Sequence, residues 1–261
     1  MNDYYPGRTA LVTGASSGIG ADMARQLGAG GAHVVLVARS ADALAAVADE
    51  IRGAGGEATV VPADLDPRDA PSALVARLEA EGLEVDVLVN NAGFGVQGPF
   101  LDASAEQAEG MVGLNVTALT SLTRRLLPGM VARGRGGVLN VASVAAFVPA
   151  PSFAVYAATK SYVLSFSNAL WAEMRGTGVH VSCLCPGPVR TGFADRAGMN
   201  DAFFAGSLPS ESVARQGLAG LASNTRRVVP GLGNKVQAVA AKLGPTALGL
   251  VVAGAVMKKA G

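Results

Sequence analysis

Residues 13–20 read TGASSGIG, after the apolar run TALVTG (9–14) and at the start of a helix-length segment. This stretch decides the fold because glycine recurs where a strand has to turn into a helix. Gly14 permits a tight turn, and Gly18 and Gly20 let a phosphate or a neighbouring strand come close to the backbone. The helix that follows offers free N–H groups and the positive end of its dipole, which suits a pyrophosphate. In a chain with 34 glycines a stray G-x-x-x-G-x-G carries little weight. Between the first strand and the first helix it carries a great deal. Gly14, Ser16, Ser17, Gly18, Ile19 and Gly20 are therefore the candidate cradle of a dinucleotide.

Outward from this loop, short apolar runs alternate with amphipathic segments. HVVLVA (33–38), ATVVPA (58–63), VDVLVN (85–90), GVLNVAS (137–143) and VHVSCLC (179–185) read as strands, and RRVVPG (226–231) supplies a seventh. Val and Leu fall on both faces, as in strands covered by helices on both sides. Helical stretches lie between them at about 19–30, 41–54, 68–82, 104–133 and 153–176. The alternation predicts βαβ units and an α/β fold: one doubly wound Rossmann domain with a parallel sheet of about seven strands. The expected catalytic domain is 1–231, with 232–261 as an apolar helical extension. The irregular stretch at about 190–212 reads as a substrate lid or as an ordinary surface excursion.

Composition narrows the function classes. The formal charge is +1, so there is no broad basic surface for nucleic acid. Cys183 and Cys185 are too few and too close for a disulfide framework or a zinc site, and read as buried thiols. His33 and His180 have no clustered partners, so no metal site is expected. The start of the chain lacks a signal peptide's charged region and apolar core, which makes a cytoplasmic location the default. Residues 243–257, LGPTALGLVVAGAVM, carry no charge and precede Lys258 and Lys259. Fifteen residues are short for a bilayer span, which needs about twenty. The segment reads as a packing helix, an oligomer contact or a membrane-surface anchor.

The second strand ends in LVARS, with Ala38 where an acidic residue would hold a ribose 2′-hydroxyl. Arg39 follows. It cannot accept a hydrogen bond from that hydroxyl but can pair with a 2′-phosphate, so NADP(H) is favoured over NAD(H). Asp64 and Leu65, in PADLD, fall just past the third strand; the Asp64 carboxylate faces either the adenine amino group or a helix N-cap. Asn91, Ala92 and Gly93, in NNAG, end the fourth strand, where small residues let the backbone approach the cofactor. In YAATK, Tyr156 and Lys160 stand one helical turn apart and share a face. An ammonium beside a phenol favours the phenolate.

As a set these residues resemble the short-chain dehydrogenase/reductase family: TGASSGIG, NNAG, Ser143, YAATK and PGPVRT (186–191) occur in its order and spacing, over about residues 8–193. The resemblance is closest to the NADP-preferring reductases. It implies a tetrad of Asn115, Ser143, Tyr156 and Lys160. Asn115 would hold a helix kink and a proton-relay water, and Ser143 would bond the substrate oxygen. Tyr156 would act as general acid/base, and Lys160 would bind the nicotinamide ribose. Pro186, Gly187, Val189 and Thr191 would hold the nicotinamide. The helices at 104–133 and 153–176 would form a homo-oligomer interface.

The chemistry follows independently. Hydride arriving at a carbonyl carbon builds negative charge on oxygen, where Ser143 and Tyr156 can donate hydrogen bonds and Tyr156 can give up its proton. Phe94, Phe147, Phe153 and Phe193 are the candidate substrate walls, joined by Val96, Val148, Phe203 and Phe204. No Arg or Lys stands in 144–155 to fix a carboxylate. A small hydrophobic ketone or aldehyde is the expected substrate. The rival readings are a dinucleotide-binding sensor or scaffold without turnover, and a membrane-associated lipid or acyl reductase.

Overall fold

In the computed structural model, which describes residues 3–190, 204, 207–243, 250 and 254, the alternation becomes a single parallel sheet. β1 (Thr9–Thr13), β2 (His33–Ala38), β3 (Glu57–Pro62), β4 (Val87–Asn90), β5 (Gly136–Val141), β6 (Val179–Leu184) and β7 (Arg227–Val228) lie in the order β3-β2-β1-β4-β5-β6-β7. The chain reverses its direction of winding between β1 and β4, which opens a crevice at the carboxyl ends of the strands.

Alternate residues of each strand feed two cores. Val12, Leu36 and Val89 pack under α1 (Gly18–Ala29) and α2 (Ala41–Gly53). Leu11, Val35, Leu88 and Val181 pack under α3 (Ala70–Ala80), α5 (Leu119–Ala132) and α6 (Ala154–Glu173). This period of two on a sheet buried on both sides is the physical reason the strands read as nearly continuous apolar runs. α7 (Ser210–Ala222) completes the first layer, with Val213 and Leu218 in its core. α8 (Leu232–Leu243) follows β7.

Two elements differ from expectation. β7 is only two residues long; Pro230 has no N–H to continue the ladder, and Gly231 turns away with φ +88. The stretch 104–133 is not one regular helix. α4 (Ala105–Val112), whose Ser104 and Gln107 form a capping box, passes through a π-type turn at Gly113–Ala118 before α5 begins. Asn115 sits in that turn.

His33 and His180 serve packing roles, with ring nitrogens bonded to Thr59 Oγ1 (2.8 Å) and the Leu221 carbonyl (2.9 Å). Cys183 and Cys185 are buried free thiols with sulfurs 3.8 Å apart. Among the described residues no helix is long and apolar enough to cross a membrane.

Candidate active site

The loop after β1 is shaped by what a side chain would hit. Gly14 has φ +66 and Gly18 φ +55, a region that costs most other residues strain. A Cβ on Gly14 would come within 2.8 Å of Asn91 Nδ2, and one on Gly20 would collide with the Gly14 carbonyl. Ser17 is the N-cap of α1 but makes no side-chain cap bond, and the first turn of α1 carries no acidic residue. Open amide donors beside a close-approach glycine loop fit a pyrophosphate.

Asn91 and Thr13 hold this loop to the end of β4. Asn91 Nδ2 donates to the carbonyls of Thr13 (3.0 Å) and Gly14 (3.2 Å). Thr13 Oγ1 accepts from the backbone N–H groups of Asn91 and Ala92, both at 3.0 Å. One strand further in, Asn90 Nδ2 donates to Thr123 Oγ1 and Asn140 Oδ1, and Asn140 Nδ2 donates to Ser167 Oγ. Thr13, Thr123, Asn140 and Ser167 were not singled out in the sequence. Their apolar-run context hides a buried polar network that only strand pairing assembles.

A cleft of about 850 Å³ runs along the carboxyl ends of the strands. Gly14, Ser16, Ser17, Gly18 and Ile19 line it, with Arg39 at the end of β2, Asp64 and Leu65 past β3, and Asn91, Ala92 and Gly93 past β4. Ser143, Tyr156, Lys160, Pro186, Gly187 and Val189 line its other end, with Phe94, Val96, Phe153 and Phe204. Backbone bonds from Ala142 N–H to the Leu184 carbonyl (2.7 Å) and from Val144 N–H to the Pro186 carbonyl (2.9 Å) extend the β5–β6 pairing beyond the strands. Ser143 and the PGPV loop are thereby locked side by side.

Ser143 Oγ accepts from Ala145 N–H (3.1 Å), which leaves its own proton to give. It lies in the same cleft as the Tyr156 phenol, whose pKa it acts to lower. The Tyr156 ring stacks on Phe153 with centroids 4.3 Å apart. Lys160 lies one turn along α6, with Nζ donating to the Val141 carbonyl at 2.8 Å and 5.7 Å from the Tyr156 ring centre. Asn115 stands behind them. Its Oδ1 accepts from Phe94 N–H (3.0 Å), and its Nδ2 donates to the Phe94 carbonyl (2.9 Å) and to Thr159 Oγ1 (3.0 Å).

Residues 8–201 match the short chain dehydrogenase family. The chain belongs to that family. A ketoacyl reductase, HetN, of Nostoc sp. is 36% identical over 224 residues, covering 85% of this chain and 78% of that protein. A short-chain dehydrogenase of Sphingobium yanoikuyae, solved with NADPH, superposes with TM-score 0.82 at 32% identity, covering 90% of this chain and 93% of that one. A relative from Burkholderia phymatum, solved with NAD, gives TM-score 0.81 at 29% identity over 90% of this chain and 92% of that one. The protein is thus an NAD(P)(H)-dependent short-chain dehydrogenase/reductase.

Four expected site residues of the dehydrogenase stand elsewhere, Val148 among them. Phe147 does not line the cleft: its ring lies under the Arg227 guanidinium, 5.4 Å away, and packs beside Val163 and Cys183. It ends the short 3-10 turn at Val144–Phe147 that Ser143 caps. Gly20 and Asn115 do not line the cleft either; Gly20 packs α1 onto the glycine loop, and Asn115 braces Phe94. Thr191, Phe193, Phe203 and most of the expected lid lie outside the described residues, as does most of 243–257. Conversely, Asp66, Glu106, Gln107 and Leu114 line the cleft without having been anticipated. Nothing in their local pattern marks them; Glu106 and Gln107 reach the cleft from α4, Leu114 from the π-type turn and Asp66 from the loop after β3.

Asp64 does not cap a helix. Its Oδ1 accepts from Asp66 N–H (3.1 Å), and α3 starts later, at Ala70. Tyr162 is a packing residue, stacked on Phe166 and bonded to Thr120.

Burial corrects the expectation that Lys160 lowers the phenol. Tyr156 is pushed up to about 12, desolvation outweighing the lowering influence of Ser143, and Lys160 is pushed down to about 8 by desolvation. Because Lys160 holds its proton less tightly folded than unfolded, the unfolded chain binds more protons between the two values, and stability rises with pH there. We expect the melting temperature of the wild type to gain on that of Lys160→Met as pH rises from about 8 to about 10, by up to roughly 3 kcal/mol of stability. Tyr156 begins to act in the opposite direction only above about 10. A pH-independent difference between the two proteins would contradict a dry site for the ammonium.

Proposed function

We propose that this dehydrogenase interconverts a hydrophobic ketone or aldehyde and its alcohol, with NADP(H) preferred over NAD(H) and Tyr156 as the general acid/base. One observation carries the reading: the Tyr156 phenol, with Ser143 beside it in the lining and Lys160 one turn away, lies in the same cleft as the glycine cradle. When bound, the dinucleotide supplies or accepts the hydride. Ser143 and Tyr156 donate hydrogen bonds to the carbonyl oxygen as negative charge grows on it, and Tyr156 passes its proton to that oxygen. In the reverse direction the tyrosinate takes the alcohol proton.

Lys160 spends one N–H on the Val141 carbonyl and has two more to give. We assign those to the nicotinamide ribose hydroxyls, where the ammonium favours the phenolate. The protein groups alone hold the phenol near 12. The positive nicotinamide of the oxidised cofactor is the added charge that would bring it toward neutral pH. Pro186, Gly187, Val189 and Thr191 are assigned to the nicotinamide, and Asp64 and Leu65 to the adenine.

The apolar substrate walls are Phe94, Val96, Phe153 and Phe204; Phe147 is not among them. The Nostoc relative's description as a ketoacyl reductase is in keeping with an apolar carbonyl. Residues 1–231 form the catalytic domain in this reading, and half-exposed Val112 and Tyr162, at 46% and 40%, support a homo-oligomer through α4 and α6. Oxidation of NADPH by a panel of aliphatic and aromatic ketones tests the assignment. Tight NADPH binding with no oxidation by any of them would favour a sensor.

Arg39 carries the cofactor preference. It is exposed at the cleft edge and, among the described residues, makes no ion pair. Arg39→Ala should raise the KM for NADPH about tenfold or more, the scale of one charge-assisted contact, and leave that for NADH nearly unchanged. Equal effects on both would overturn the preference.

A further inference from the structure

Charge is divided unevenly along the chain. From Ser212 to Gly261 there are seven Lys or Arg and no Asp or Glu, whereas residues 1–211 hold 14 basic and 20 acidic residues. Within this basic C-terminal part, α8 presents an apolar stripe to solvent. Leu232, Val236 and Val239 recur at helical spacing and are 80%, 63% and 54% exposed. Ala238, on the opposite side, is buried. Lys235 is exposed on the flank of the stripe, and Lys242 follows two turns later in the sequence. Beyond α8 the chain continues through the uncharged run 244–257 to Lys258 and Lys259.

We propose that the exposed face of α8 is a docking surface for an anionic lipid bilayer. Apolar side chains flanked by lysines on a helix are the composition of a segment that lies in the headgroup region. A second copy of the chain fits less well. A two-fold contact would bring the same face of both copies together, and this part of the sequence has no carboxylate to pair with the facing lysines. A polyphosphate chain would pair with the lysines but leave the stripe in water.

The surface adjoins the nicotinamide end of the cleft. The Asn234 side chain packs so closely on Gly187 that a Cβ there would collide with it, and Asn234 Nδ2 donates to the Pro230 carbonyl at 2.7 Å. α8 also touches the turn Val144–Phe147. Gly254 reaches the loop before α6, where a Cβ on it would be 3.6 Å from Pro151. Docking by α8 therefore sets the substrate end of the cleft next to the bilayer, where an apolar carbonyl would be dissolved. That consequence rests on the hydrophobic-carbonyl reading; the docking surface does not.

The test is flotation of the full-length protein with vesicles of phosphatidylcholine, alone or mixed with phosphatidylglycerol. The protein should float with the mixed vesicles, and binding should weaken as salt is raised. Replacing Leu232, Val236 and Val239 together by Ser should weaken binding roughly tenfold or more. Lys235→Glu should weaken it by a smaller factor and flatten the salt dependence. Both variants should oxidise NADPH with a soluble ketone at the wild-type rate, which separates failure of the surface from failure of the enzyme. No flotation with mixed vesicles would overturn the proposal. So would equal flotation with both vesicle types, or a Ser variant that changes only the oligomeric state.

Discussion

Tyr156→Phe is expected to cut carbonyl reduction by about a thousandfold or more while NADPH binds nearly as before. The size follows from what is removed. In the proposed mechanism the phenol proton is the general acid, worth about 10²–10⁴-fold alone, and its hydrogen bond to the growing oxyanion is lost with it. The fold should not notice. A phenylalanine ring keeps the stack on Phe153, at 4.3 Å between centroids, and the close seat against Gly95, where a Cβ would lie 2.8 Å from the tyrosine ring. Ser143 retains the Ala145 N–H. The measurement is single-turnover NADPH oxidation beside a fluorescence titration of NADPH. Reduction within tenfold of wild type would remove Tyr156 from the mechanism.

Asn115→Ala should be the most destabilising change near the site, by roughly 3–5 kcal/mol. Asn115 is 1% exposed and closes both backbone polar groups of Phe94 as well as the Thr159 hydroxyl. Alanine leaves the Phe94 N–H and carbonyl without those partners, and each such orphan costs about 1–3 kcal/mol. For a chain of this size each kcal/mol lowers the melting temperature by about 2–4 °C, so a fall of roughly 10 °C is expected. Turnover should fall as well, because Phe94 and Gly93 are part of the cleft and a Cβ on Gly93 would lie 2.7 Å from Asn115 Oδ1 and 3.5 Å from Lys160 Nζ. Thermal melts and ketone turnover on the same preparation check both. A melting temperature within about 2 °C of wild type would mean that Asn115 does not brace this wall.

Local chemistry made much of the site legible. The glycine loop could be located because strand, turn and helix each leave a mark within a few residues, and Gly14 and Gly18 take the positive φ that only glycine adopts cheaply. Tyr156 and Lys160 could be paired because the period of a helix is fixed. That the asparagines of NNAG tie strand ends together could be read, but which residues they meet, Thr13 for Asn91 and Asn140 with Ser167 beyond it for Asn90, could not. Their partners come from different strands and helices, as far as 78 residues apart, and no local spacing encodes which strands become neighbours.

The same division explains Phe147 and the pair's protonation. Phe147 stands four residues after Ser143, and the sequence carries no sign that a 3-10 turn points it at Arg227 instead of the cleft. The proximity of an ammonium and a phenol was readable, but the dryness of their surroundings was not. Desolvation is set by everything packed around a group, and here it moves both groups toward their neutral forms. What the sequence determined by itself was the order of the elements and the residues able to do chemistry, because those depend on periodicity and side-chain type. The depth of burial, the partner of each polar group and which phenylalanine lines the cleft were decided only when distant strands and helices packed together.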